Sequence, residues 1–370
     1  MGLSCSVAFY VHTTRTVFNR RPSWKLRTYW SHFMMTRPLE IVWRFLTVPL
    51  RTLPDFHILG EVRTGTTSLA AHLRAVGCQG PFSPWIVPLA SDKESFFFVG
   101  HYWGIVHPWA YRMCFPLAIV QWSRRLLLGQ RPPVFDACAS HLNAPWAAPL
   151  LRRATPEAAL VVLLRPPVEQ NVSWWSLETG AHAWAKGMGM GEDFLMPGYP
   201  PPSFKNAVAL SQSPEVEALY REGELAAAHV LGPGGAQWRL PERLLPFPGG
   251  QLAALTHMGR YVDNIKRYEE HFGRERLVLL ETALLAEPGG AAAAAQRLGA
   301  LVPAVASLQQ RHSDSLPSEG GTAERLNGSA PLTPALAPDA QTVAELKQYY
   351  REHNERLFSW MGRDLGWNEK

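Results

Sequence analysis

The strongest constraint on the fold lies between residues 56 and 77. Phe56-His57-Ile58-Leu59 is apolar and leads into Gly60-Glu61-Val62-Arg63-Thr64-Gly65-Thr66-Thr67-Ser68, and a helical pattern from Leu69 to Val76 stops at Gly77. The pattern predicts strand, loop, helix. A loop in that position turns successive backbone N–H groups and the positive end of a helix dipole toward one point, which suits an anion, most often phosphate. Thr66, Thr67 and Ser68 add hydroxyl donors at the helix start. Taken alone, the Gly-Thr-Thr cluster serves equally for an ordinary capped helix behind a buried strand.

A second run has the same form. Ala159-Leu160-Val161-Val162-Leu163-Leu164 is continuously apolar, as a strand of a parallel sheet buried on both faces must be. Arg165 then stands at the strand's carboxyl end, where open α/β sheets bind ligands. Pro166 and Pro167 cannot extend a ladder but can open a helix, which places Ser173 about two turns in. A guanidinium suits phosphate by its bidentate geometry, with the hydroxyl as a second donor. An Arg-Pro after a strand also occurs as a plain surface turn, but here two anion sites follow in order, roughly a hundred residues apart.

Gly60 and Gly65 have the spacing of the nucleotide-triphosphatase loop G-x-x-x-x-G-K-[ST], yet Thr66 occupies the lysine position and the basic charge is at Arg63. A basic residue, two positions, then Thr-Thr resembles the 5′-phosphosulfate loop of the sulfotransferases, whose donor is 3′-phosphoadenosine 5′-phosphosulfate. Many members carry Lys where this chain has Arg63, and the protein-tyrosine sulfotransferases resemble it more closely there. The strand, Arg165, Pro166 and Ser173 resemble the family's 3′-phosphate site. Lys93-Glu94-Ser95-Phe96-Phe97-Phe98 resembles the Lys-Glu-x-x-Phe-Phe segment of the carbohydrate sulfotransferases, in which the Glu is the general base. Without that resemblance, Lys93-Glu94 reads as a solvated charge pair ahead of an aromatic strand.

Further segments resemble the same family: Trp109 to Pro116, Gly259 to Phe272 with its Gly-x-Tyr start, the strand Arg276 to Glu281, the helix Leu346 to Leu357, and the tail Gly362 to Trp367. The resemblance spans about residues 56 to 368. It implies a three-layer, P-loop-like α/β fold with a mainly parallel sheet. It also implies that Arg63, Thr64, Gly65, Thr66, Thr67 and Ser68 hold the 5′-phosphosulfate and that Arg165 and Ser173 hold the 3′-phosphate. Glu94 is then the base and Arg63 the cation that stabilises the leaving group. No metal is expected.

Outside these segments the chain divides into a basic arm, residues 1–54, and a sulfotransferase domain, 55–370. The arm holds eight Lys or Arg against one acid, Glu40, a net of +7 in a chain whose total is +5, so the remainder carries −2. The basic balance therefore belongs to the arm and gives no argument for nucleic acid. The arm has the Arg-rich, acid-poor composition of a transit peptide, and Met1-Gly2-Leu3-Ser4-Cys5 also fits an N-myristoylation pattern with Cys5 open to palmitate. Peripheral membrane attachment through the arm and a Golgi, secretory or organellar compartment are the corresponding expectations. The apolar stretch from Ile41 to Leu50 is too short and too charged to span a bilayer.

Cys5, Cys78, Cys114 and Cys138 show no zinc-ligand or disulfide spacing. The sequons are Asn171-Val172-Ser173, which glycosylation would crowd, and Asn327-Gly328-Ser329. A Pro-rich loop, 79–90, faces the acceptor in this reading, with Asp136 and Ser140 in the acceptor-positioning region and His141 a polar turn residue. A Gly/Pro-rich insertion at about 180–250, with one helical interval near 204–224, reads as a lid or acceptor loop or as a partly disordered insertion. A Ser/Pro/Gly-rich linker occupies about 313–339, and Arg311 or Arg325 stands in for a donor contact that the sugar-chain enzymes place in that region.

The expected activity is transfer of a sulfuryl group from 3′-phosphoadenosine 5′-phosphosulfate to an acceptor hydroxyl or amine, on a glycan or glycoconjugate. Protein tyrosine and a small molecule or lipid are the alternative acceptors. More distant alternatives are a nucleotide-triphosphate kinase or hydrolase with a degenerate loop, and a non-catalytic nucleotide-binding protein.

Overall fold

A computed structural model describes residues 39–81, 93–99, 107–187, 203–231, 254–315 and 338–369. Its principal elements are β1 (Phe56–Gly60), α1 (Thr66–Ala75), α2 (Ala118–Leu128), β2 (Phe135–Asp136), α3 (Ala147–Ala154), β3 (Ala159–Leu164), α4 (Pro167–Gly187), α5 (Phe204–Ser211), α6 (Pro214–Leu231), α7 (Tyr261–Phe272), β4 (Leu277–Glu281), α8 (Gly290–Gly299), α9 (Pro303–Ser315) and α10 (Ala340–Met361). Among the described residues the four strands form one parallel sheet in the order β2-β1-β3-β4.

The unbroken apolar run of β3 serves both faces of this sheet. Ala159, Val161 and Leu163 join Phe56 and Ile58 of β1 in packing against Leu69 and Leu73 of α1, Leu298 of α8 and Val305 of α9. Leu160, Val162 and Leu164 join Leu59 in packing on the other face against Leu150 and Leu151 of α3 and Ile265 and Tyr268 of α7. Side-chain alternation along each strand thus sends successive residues to opposite helical layers. The result is the expected three-layer α/β architecture.

Strand order places the site. The chain runs from β1 to β2 on one side, then returns to β3 on the other, so the connections diverge between β1 and β3. Open parallel sheets bind ligands in the crevice outside the carboxyl ends at such a switch point. The two anion-binding segments read from the sequence leave these two strands.

A third apolar cluster, built from Trp174 and Trp175 of α4, Phe204 of α5, Val216 and Tyr220 of α6 and Tyr350 of α10, lies beyond the strand ends. Here the structure is more regular than the composition predicts. α4 runs to Gly187, and the single helical interval expected near 204–224 is two helices, α5 and α6. The break has a local cause: Pro214 opens α6, and the Ser213 hydroxyl accepts from the Val216 N–H at 3.4 Å. Residues 188–202 and 232–253 of the insertion, 316–337 of the linker, 82–90 of the Pro-rich loop and 1–38 of the arm lie outside the described residues, and with them Gly2, Cys5, Asn327 and Arg325.

Other expectations change in detail. Lys93 is buried rather than solvated, and Phe97 and Phe98 are buried in a turn, not a strand. His141 does lie in a turn, but it is fully buried. Asn171 is also fully buried, with Nδ2 donating to the Leu255 carbonyl at 2.7 Å, so the first sequon is packed inside the fold.

The folded body reaches back before residue 55: Val48 is in the core, and Arg51 donates to the Phe115 carbonyl at 2.7 Å. The helix at 39–46 and the neighbouring α2 present apolar side chains outward, with Trp43 55%, Trp122 57% and Leu127 83% exposed. Among the described residues no helix is long and apolar enough to cross a membrane.

Candidate functional site

β1 ends at Gly60, whose backbone has φ +126° and whose missing Cβ would stand 2.0 Å from the Ala139 carbonyl oxygen. Only glycine fits there. The chain then turns through Glu61 to Gly65, with Arg63 at φ 64° and Gly65 at φ 95°. A non-glycine residue in left-handed backbone is costly and persists where its surroundings determine it. Four neighbours do so. The Glu61 carbonyl accepts from Thr64 Oγ1 (2.5 Å), that of Val62 from Gln170 Nε2 (3.0 Å), that of Arg63 from Arg165 Nη1 (3.0 Å), and that of Thr64 from Thr282 Oγ1 (2.7 Å).

These bonds also set the electrostatics. In a trans peptide the N–H points opposite to the carbonyl, so the N–H groups of Arg63, Thr64 and Gly65 are turned away from the partners that hold the carbonyls. The first intrahelical bond of α1 runs from the Leu69 N–H to the Gly65 carbonyl, at 3.2 Å. The N–H groups of Thr66, Thr67 and Ser68 precede it, so they have no partner within the helix and sit at the positive end of its dipole. Thr67 and Ser68 are half-buried and Thr66 is buried. The Thr64 hydroxyl is directed into the loop itself.

Arg165 leaves the end of β3. Its Nε lies 3.6 Å from Glu169, and its backbone N–H is 3.4 Å from the Tyr261 hydroxyl. Arg63 Nε donates to Ser173 Oγ at 2.9 Å, so a loop residue after β1 meets the helix after β3 directly. Burial, and then the like charge of Arg165, hold the Arg63 guanidinium below its ordinary pKa. Two cations held together in this way favour an anion between or beside them.

Lys93 and Glu94 reach the same place. The Lys93 ammonium is ion-paired with the Glu94 carboxylate, stands 3.4 Å from Thr66 Oγ1 and donates to the Ala137 carbonyl at 3.3 Å. Arg63, Thr66, Arg165 and Ser173 are thus linked through the loop, and Glu94 joins them through Lys93.

Sequence reasoning missed several residues here. Gln170 and Thr282 clamp the loop from outside any motif. Glu61 is fully buried, and burial, only partly offset by a hydrogen bond from the Val62 backbone N–H, raises its pKa well above the carboxylate range. Its position after Gly60 marked only a loop residue, and no feature of the sequence shows which way its side chain turns.

No protein-family model matches the chain, and no curated protein matches it in sequence. Among solved structures, the chain is similar to a sulfotransferase from Alicyclobacillus acidocaldarius, with 19% identity, coverage of 86% of this chain and 100% of that one, and a TM-score of 0.41.

Proposed function

We propose that the chain transfers a sulfuryl group from 3′-phosphoadenosine 5′-phosphosulfate to a hydroxyl-bearing acceptor. The observation that carries this reading is the meeting of the two anion-binding segments at the β1/β3 switch point, through the Arg63–Ser173 bond. A donor with phosphates at both its 5′ and 3′ positions needs two adjacent cationic subsites. A nucleotide triphosphate needs one continuous cradle with a lysine at Thr66.

In this reading the loop N–H groups of residues 63–68 and Arg63 hold the 5′-phosphosulfate, with the hydroxyls of Thr66, Thr67 and Ser68 as further donors. Arg165 and Ser173 hold the 3′-phosphate. Glu94 takes the acceptor's proton, the acceptor oxygen bonds to sulfur, and the bond from sulfur to the bridging phosphate oxygen breaks. The negative charge that develops on that oxygen falls to Arg63 and the helix terminus. Lys93, already near Thr66, follows the sulfate and releases Glu94 for the acceptor. The acceptor in this reading is a glycan or glycoconjugate, the class implied by the resemblance of Lys93 to Phe98 to the carbohydrate sulfotransferases.

The outward apolar side chains of the helix at 39–46 and of α2, together with the basic arm before them, support peripheral attachment to a membrane in the same reading. Calorimetric titration of the full chain with adenosine 3′,5′-bisphosphate in the presence of a chelator tests the function. Micromolar binding in preference to ATP and ADP is expected; preference for ATP would sink the assignment of both phosphate subsites.

A further inference from the structure

On the face of the sheet opposite α1, three side chains of another kind meet. His57 and Asp136 are direct partners in the β1/β2 register, and His141 lies in the turn that follows β2. All three are fully buried, and each offers a ligand atom within 4.8 Å of the others.

The hydrogen bonds around His57 fix its chemistry. Thr155 Oγ1 donates its hydrogen to the Leu151 carbonyl at 3.0 Å, so toward His57 Nε2, 2.8 Å away, it acts as acceptor. His57 therefore carries its proton on Nε2, and Nδ1 presents a bare lone pair. That Nδ1 is buried without a hydrogen-bond partner, and both ring nitrogens of His141 are in the same position. Both rings are fully buried, and neutral imidazole is the form that coordinates metals. Leaving these ring nitrogens unpaired in a dry core is costly.

The groups behind the three residues resemble the outer shell that orients metal ligands. Asp136 Oδ1 accepts from the Ser95 N–H at 3.0 Å, and Oδ2 accepts from Ser95 Oγ and from the Tyr111 hydroxyl, both at 2.5 Å. His141 is held through its backbone: its carbonyl accepts from the Tyr268 hydroxyl at 2.6 Å, and its N–H donates to the Cys138 carbonyl at 3.1 Å. A carboxylate has lone pairs enough for these donors and one ion.

We propose that His57 Nδ1, one ring nitrogen of His141 and the Asp136 carboxylate bind one divalent transition-metal ion, with zinc the best match to two imidazoles and a carboxylate. Around one zinc ion such ligands stand about 3.4 Å apart, so binding draws the three together by a side-chain adjustment of about an ångström. The ion ties β1 to β2 beneath the anion-binding loop. Its role is structural, and it takes no part in the transfer proposed above.

The test uses the full chain, freed of metal by a chelator and shown to be folded by circular dichroism. Titration with cobalt(II) should give visible absorption bands that saturate at one equivalent, zinc should displace them, and zinc should raise the melting temperature of the chain. His141→Asn should abolish the bands. Should that variant fail to fold, Thr155→Val decides instead: it keeps every ligand but releases the His57 tautomer, and should weaken cobalt binding about 10-fold or more. A folded wild-type chain that takes up no cobalt overturns the proposal, and so does uptake that neither substitution changes.

Discussion

Arg63 and Ser173, 110 residues apart in the chain, are joined by a bond of 2.9 Å from guanidinium Nε to hydroxyl oxygen. β1 delivers one, β3 and the helix after it deliver the other, and Arg165 closes the triangle by holding the Arg63 carbonyl. Arg165 thus braces left-handed backbone, and in the proposed function it also supplies charge.

Replacing Arg165 with Ala should weaken binding of adenosine 3′,5′-bisphosphate about 10- to 100-fold, the value of a charge-assisted contact. Calorimetry is the measurement. Lys at this position should recover only part of the loss, because it restores the charge but not the planar fork. Unchanged affinity in the Ala variant removes Arg165 from the site.

Glu94→Gln separates chemistry from binding. As the general base, Glu94 should be worth about two to four orders of magnitude in turnover, with bisphosphate affinity nearly kept. The assay is transfer of labelled sulfate to a panel of glycan acceptors. Turnover equal to that of the unmodified chain would falsify the role of Glu94.

Glu61 makes a prediction in pH. Its carboxyl is buried, and burial raises its pKa well above the ordinary carboxylate value of about 4.5. Below about that pH it is protonated in both the folded and the unfolded chain; above it the unfolded chain releases the proton and the folded chain keeps it, so stability falls as pH rises until the folded pKa is passed. Glu61→Gln cannot titrate and escapes this loss. The difference in Tm between variant and parent should therefore grow in favour of Gln from about pH 5 to about pH 8. Parallel melting curves across that range would mean that Glu61 reaches solvent.

Gly60 tests the close approach of backbone to backbone. A methyl group there meets the Ala139 carbonyl oxygen at 2.0 Å and must also adopt φ +126°. Gly60→Ala should lower stability by about 3 kcal/mol, read as a shift of the urea midpoint at unchanged slope. A loss below about 1 kcal/mol would show that the turn has room to move.

Much of the backbone around the candidate site was legible in the sequence. The continuous apolar run from Ala159 to Leu164 announced a strand covered on both faces, and the residues that leave it, Arg165 and Ser173, stand where the spacing put them. The Arg63 loop was legible for the same reason: strand, glycines, threonines and helix are contiguous. What stayed hidden depends on contacts between distant segments. Lys93 reads as a solvated charge because its burial is created by Thr66 and the Ala137 carbonyl, which no local pattern contains. Gln170 and Thr282 act on the loop only once α4 and the residues after β4 are in place. His57 and Asp136 face each other because β1 pairs with β2 in one particular register. The insertion misled for a simpler reason: its glycines suggest irregular chain, while Gly180 and Gly187 lie within α4.

The strand order has a further consequence for the life of the chain. β1 emerges early and β3 about a hundred residues later, and neither anion subsite can form alone, because Arg165 and Ser173 supply the bracing that Arg63 lacks until β3 docks. During synthesis the loop therefore stays incompletely braced until the residues after β4, Thr282 among them, have also emerged and docked. Any ligand that binds only the fully braced loop would stabilise the folded chain by mass action.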